Sequence, residues 1–247
     1  MNARKELFMK KYILFVPFVL LVMGLSSCDD GRIYENASFV PREGRVLKLS
    51  GKISGISKWP EGYSIVVAGF DDESEYAIVS KVIPSPDTDG GEVEVILSGI
   101  GEDVTEVELC VINRLRKRVF SFHTIDNFTA TVDTTLMEVG TIDVGMYHTI
   151  QQQVFNKTCT ACHGGSTHPA ADLNLLEGKS YADLVNQPST IVNDVQRVKP
   201  HNAKESILYQ ILDTDISSGW NIDHSQMITS SSTLALINDW IDNGAQE

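Results

Sequence analysis

The chain has 247 residues, room for about two small domains once any export segment is set aside. Its 42% apolar and 21% charged residues are ordinary for a globular protein and exclude wholesale disorder. Lys and Arg number 20 against 33 Asp and Glu, a net charge of −13. That balance excludes electrostatic attraction to nucleic acid or anionic lipid and favours a basic docking partner.

Arg4, Lys5, Lys10 and Lys11 precede an apolar run over residues 12–25, the layout of a secretory signal peptide. The run is short for a permanent membrane span. It ends in Leu25-Ser26-Ser27-Cys28, which resembles the bacterial lipobox. That resemblance implies removal of residues 1–27, lipid on Cys28, and a tether over residues 28–45 on a membrane face exposed to the periplasm or cell surface. An ordinary signal peptide or a retained anchor is the competing reading. Asp29 and Asp30 leave inner and outer membrane both open. Residues 1–27 carry four basic side chains against Glu6 alone, so the remainder is more acidic still.

From residue 46 the texture becomes alternating apolar and polar. Runs at 46–53, 63–68, 76–82, 92–97, 106–113, 118–124, 128–132 and 137–144 are rich in Val, Ile and Thr. Gly, Pro and Asp separate them, as in Pro84-Ser85-Pro86-Asp87-Thr88-Asp89-Gly90-Gly91. Seven or eight short strands in residues 46–145 predict an all-β sandwich of immunoglobulin or fibronectin-III type. Cys110 sits in one alternating run and is expected as a buried thiol. Arg114-Leu115-Arg116-Lys117-Arg118 reads as a hairpin turn rather than a docking patch.

After Gly145 the apolar period lengthens to that of a helix. Ile150, Val154, Phe155 and Thr158 share one face of a helix running into Cys159. A short helix is expected over residues 181–185. Asn202 followed by Glu205 resembles a capping box opening a helix that buries Ile207, Leu208, Ile211 and Leu212. A last helix from Ser231 or Ser232 presents Leu234, Ile237 and Ile241, with Leu236 and Trp240 beside them and Gly244 past its end.

The sharpest signal is Cys159-Thr160-Ala161-Cys162-His163. A porphyrin carries two vinyl groups; two thiols one helical turn apart can form a thioether to each, and the adjacent imidazole can then bind the iron. One covalent haem c per chain is therefore expected, on Cys159 and Cys162 with His163 as proximal ligand. A redox Cys-x-x-Cys lacks its βαβ context. Zinc on Cys159, Cys162, His163 and His168 lacks a second cysteine pair.

Residues 146–247 resemble a class I, single-haem cytochrome c domain of the kind found in exported bacterial proteins. The matching stretches run from Val154 to Gly164 through the motif, then Ser206-Ile207-Leu208-Tyr209, Met227, and Ile237 to Ala245. The resemblance implies an all-α cytochrome c fold over those residues, so the whole is read as multidomain, a sandwich followed by a haem domain. It also implies Met227 as distal iron ligand, with His224 as the rival because Ile228 stands where the family pattern has Pro. His168 and His201 are more remote alternatives. Phe155, Leu173, Leu175, Tyr209 and Trp240 are expected at the haem crevice or helix crossing. Arg197 and Lys199 are read as propionate partners or as solvated surface.

These features predict a membrane-anchored electron carrier working with a redox partner protein. Two other readings stay open: a glycan- or protein-binding surface lipoprotein with an accessory haem domain, and an open-site haem peroxidase or sensor.

Overall fold

The computed structural model describes residues 44–126, 128, 134–165, 167–216 and 222–247. Cys28, the signal segment and nearly all of the tether lie outside the described residues. Arg45 already belongs to the first strand.

Seven strands form two sheets: β1 (Arg45–Ser54), β2 (Tyr63–Phe70), β3 (Val79–Val82), β4 (Glu92–Ile100), β5 (Glu106–Asn113), β6 (Arg118–Ile125) and β7 (Thr134–Asp143). One sheet has the order β4-β1-β7 and the other β3-β2-β5-β6. Alternation decides which side chains go inward. In β1, Leu47, Leu49 and Ile53 are fully buried, and in β4 Val93, Val95 and Leu97 face the same core between exposed neighbours. β2 and β5 are buried on both faces: Ile65 and Val67 point to the core shared with β1, Val66, Ala68 and Phe70 to the other side. Cys110 lies in that second layer, and burial raises its thiol pKa far above the ordinary range.

The expected immunoglobulin or fibronectin order is not the one that forms. In those sandwiches the first strand pairs with the second. Here β1 is central in its own sheet, antiparallel to β4 and parallel to β7. The β1–β7 ladder contains a bulge at Gly51, where Gly140 takes a positive φ of 62° and a Cβ on Gly51 would meet the Gly140 carbonyl at 2.8 Å.

The all-α cytochrome c domain expected over residues 146–247 is also corrected. The helices there are α1 (Met146–Ile150), a π-helical stretch (Gln151–Cys159), α2 (Thr160–His163), α3 (Ser180–Leu184), α4 (Ile207–Asp213) and α5 (Ser231–Asp242). Among the described residues only α5 reaches 12 residues. Between His163 and Ile207 the chain is mostly turns and isolated bridges such as Val185↔Val198 and Gln196↔Ser206. Pro169, Pro188 and Pro200 interrupt this stretch, and Ala171, Asp172, Asn186, Asp194 and His201 sit at φ between 50 and 66°, which no helix continues through. Asn202 caps as expected, accepting the Glu205 N–H at 3.1 Å, but the capped turn is the three-residue 3₁₀ segment Ala203–Glu205. Ser206 is extended, and α4 starts after it.

Residues Arg42–Glu247 nevertheless belong to one compact unit. A second apolar core holds Ile150, Val154 and Phe155 with Leu184, Val198, Leu208, Ile237, Trp240 and Ile241. Trp59, Tyr63 and Val119 of the sandwich pack against both cores. At this seam the Trp59 indole N–H donates to the Val144 carbonyl at 2.6 Å, and the Tyr63 hydroxyl donates to Asp239 Oδ2 at 2.6 Å. No helix among the described residues is long and apolar enough to cross a membrane.

Candidate functional site

The segment carrying Cys159, Cys162 and His163 is one continuous right-handed helix whose winding changes along its length. α1 packs against α5, with the Tyr147 and Trp240 rings 5.1 Å apart. The π-helical stretch follows, its wide turn visible in the Thr160 N–H donating to the Phe155 carbonyl five residues back. Val154 and Phe155 are buried on the core side, while Asn156 and Lys157 are exposed. A buried polar chain anchors the stretch: the Tyr147 hydroxyl meets Ser180 Oγ, Ser180 donates to Gln151 Oε1, and Gln151 Nε2 donates to the Leu175 carbonyl at 2.9 Å.

Cys159 ends this stretch half-buried against the second core, and burial, with Cys162 beside it, pushes its thiol up to about 11. Cys162 is exposed on α2. A thiol pushed up by burial stays protonated near neutral pH. The helix ends at His163 because the chain must turn back under itself: a Cβ on Gly164 would lie 2.5 Å from the Thr160 carbonyl. Only glycine allows that approach without a backbone shift.

His163 is held twice by the loop after it. Its carbonyl accepts the Leu175 N–H at 2.7 Å, and its Nδ1 donates to the Ala170 carbonyl at 2.9 Å. A carbonyl can only accept, so Nδ1 carries the proton and Nε2 keeps its lone pair. Burial lowers the His163 pKa, against the Ala170 bond that would raise it, and nearby His224 and Arg197 add to the lowering. The neutral imidazole, the form that binds a metal, is thus favoured.

Arg197 builds this loop. It is 9% exposed, and its guanidinium donates to the Asp183 carbonyl at 2.9 Å and to the Ala171 and Asp172 carbonyls at 3.1 Å each. Ala171 and Asp172 are the left-handed residues just after Ala170, so the fork secures the strained turn that aims the Ala170 carbonyl at His163. Lys199 pairs with Glu205 at the surface. The sequence carried no signal for Ala170, whose function rests on a backbone carbonyl, and pointed to Arg197 without its partners.

On the opposite side stands the 3₁₀ turn His224–Gln226, opened by Asp223, whose carboxylate accepts from Ser225 N–H at 2.9 Å and Ser225 Oγ at 2.6 Å. The His224 ring centre lies 6.3 Å from that of His163, with 41° between the planes. Met227 is one turn further on, its N–H donating to the His224 carbonyl at 3.0 Å and its residue 43% exposed. His201 lies elsewhere, against Gly244 and the end of α5, and His168 is exposed. Phe155, Leu175 and Trp240 are buried in the second core, with Leu173 and Tyr209 packed at its edge.

No family model, no curated protein and no solved structure matches this chain. The chemistry of the site therefore rests on its own residues. Among the described residues no three His, Cys, Asp or Glu side chains converge as they would around a bare metal ion. The donor set instead suits a haem: two thiols one turn apart, and a neutral imidazole with one nitrogen tied to a carbonyl and the other left for iron.

Proposed function

We propose that this protein is an exported, lipid-anchored electron carrier with one haem c attached at Cys159 and Cys162 and bound through His163. The observation that supports it most is the His163 Nδ1–Ala170 bond of 2.9 Å, at the end of the helix that carries both thiols. It fixes the tautomer and orientation of the ring immediately after a Cys-x-x-Cys pair.

A haem held there supplies reversible one-electron exchange at iron. Cys159 and Cys162 would hold the group through thioethers to its two vinyl substituents. Cys159 lies against the second apolar core and Cys162 faces solvent. His163 would hold the iron through Nε2, and the Ala170 carbonyl, by drawing on the Nδ1 proton, would make it a stronger donor. Cys159 packs on the same apolar core that holds Phe155 and Leu175, with Leu173 at its edge. Lipid on Cys28 would tether the carrier to its membrane and raise the effective concentration of redox partners there. The acidic surface suits a basic partner.

The test is expression of the full chain, signal segment included, in a host with c-type haem maturation, followed by a pyridine haemochrome assay on denatured protein. One haem per chain that survives denaturation and takes up and releases an electron reversibly is the expected result. Exported protein lacking covalent haem would overturn the proposal.

A further inference from the structure

We infer that His224 is the second axial ligand of the haem iron, opposite His163, which makes the centre a bis-histidine one. This rests on the haem attachment proposed above. The deciding quantity is the 6.3 Å between the two ring centres. A metal–imidazole bond is about 2.0 Å, and in a five-membered ring with bonds of about 1.33 Å each nitrogen lies about 1.1 Å from the centre. Two imidazoles sharing one iron therefore have their centres about 6 Å apart. The observed 6.3 Å matches that separation. Planes at 41° are compatible, since each axial ring is free to rotate about its own iron–nitrogen bond.

The surroundings of the two candidates agree with this. His224 is half-buried with its Nδ1 shielded from solvent, whereas Met227 leaves 43% of its surface exposed. The Asp223–Ser225 bonds set the 3₁₀ turn that presents His224, and this turn packs on α4, whose Leu208 and Leu212 are rooted in the second core. His224 is thus presented from a braced turn, and Met227 begins the stretch leading away to α5. The consequence is chemical. A thioether ligand favours ferrous iron and raises the potential relative to a second imidazole. A bis-histidine centre places this carrier at the lower-potential end, and it leaves no iron position for substrate.

The experiment is spectroscopy and potentiometry on the full, matured lipoprotein in detergent, with the haemochrome assay run on each preparation. The expected ferric protein is low-spin and lacks the weak near-infrared sulfur-to-iron band. Met227→Leu leaves spectrum and potential unchanged. His224→Ala becomes high-spin, and added imidazole restores the low-spin spectrum; His224→Met raises the potential. A native sulfur-to-iron band that Met227→Leu abolishes would overturn the inference while leaving haem attachment intact. Absence of covalent haem in the wild type removes both. The wild-type spectrum and the Met227→Leu comparison decide the matter even where a His224 variant fails to mature.

Discussion

The sandwich and the region that carries Cys159, Cys162 and His163 are held together by different means. Strands β1 to β7 are joined by long ladders, and their core is filled by side chains that alternate in from every strand. The C-terminal region has few ladders. It is pinned by single side chains to backbone groups: Arg197 to three carbonyls, Asp242 to the Ala203 N–H at 2.7 Å, Tyr181 to the Ala245 carbonyl at 2.9 Å. A ladder loses little when one residue changes, because its bonds are backbone to backbone. A loop held by one guanidinium depends on that side chain alone. Such a region gains more from a cofactor that cross-links it, since binding to the native state alone adds stability.

The largest expected effects test whether the two regions unfold together. Phe155→Ala empties a fully buried aromatic site in the second core, at a cost of about 3–5 kcal/mol. Leu109→Ala does the same in the sandwich for about 2–5 kcal/mol. Because Trp59, Tyr63 and Val119 pack on both cores, each variant should shift a single urea transition seen both by tryptophan fluorescence and by β-sheet circular dichroism. Two separate transitions would show that the seam does not couple them.

Arg197→Ala comes next. It strips donors from the Ala171, Asp172 and Asp183 carbonyls and should cost about 1–3 kcal/mol. It should also shift the reduction potential of the matured protein, because the Ala170 turn relaxes and the His163 bond lengthens. Lysine should not restore it, being a point charge without the planar fork. An unchanged potential would confine Arg197 to stability.

A smaller change is expected from Tyr63→Phe, which removes the hydroxyl bonded to Asp239 and should lower stability by about 0.5–1.5 kcal/mol. A double-mutant cycle with Asp239→Asn, followed by urea titration, isolates the seam bond.

The smallest effect is one of pH. Folding lowers the His163 pKa, so the unfolded chain holds that proton more firmly than the native one. Stability is present above the ordinary histidine value of about 6.5 and is lost as pH falls through it. In a haem-free Cys159→Ser/Cys162→Ser protein, melting temperatures from pH 7 to 5 should fall less steeply once His163→Gln is added. Equal slopes would show that His163 titrates as it does in the unfolded chain.

Sequence legibility followed the same division. Residues 92–97 lie within β4, where period-two alternation directly encodes the buried face; residues 106–113 form β5, whose two buried faces the alternation does not record. The helix leading to Cys159, the short helix near residue 181 and the last helix from Ser231 were legible from apolar spacing and caps. Strand order was not. The parallel β1–β7 pairing joins segments about ninety residues apart, and nothing local in either records the partner. Nor was the loss of helix between His163 and Ile207 read from the periodicity around it, since left-handed Ala171 and Asp172 are sustained by tertiary bonds from Arg197.

The thiol pair and the adjacent histidine are written in neighbouring residues and the acidic balance in the composition, so all three are readable without a fold. Only the tertiary structure decided what surrounds His163. The Ala170 carbonyl fixes its tautomer, Arg197 braces the turn behind it, and His224, far along the chain, has its ring centre 6.3 Å from that of His163. Those placements depend on how distant segments pack, and spacing along a chain does not encode a distance through space.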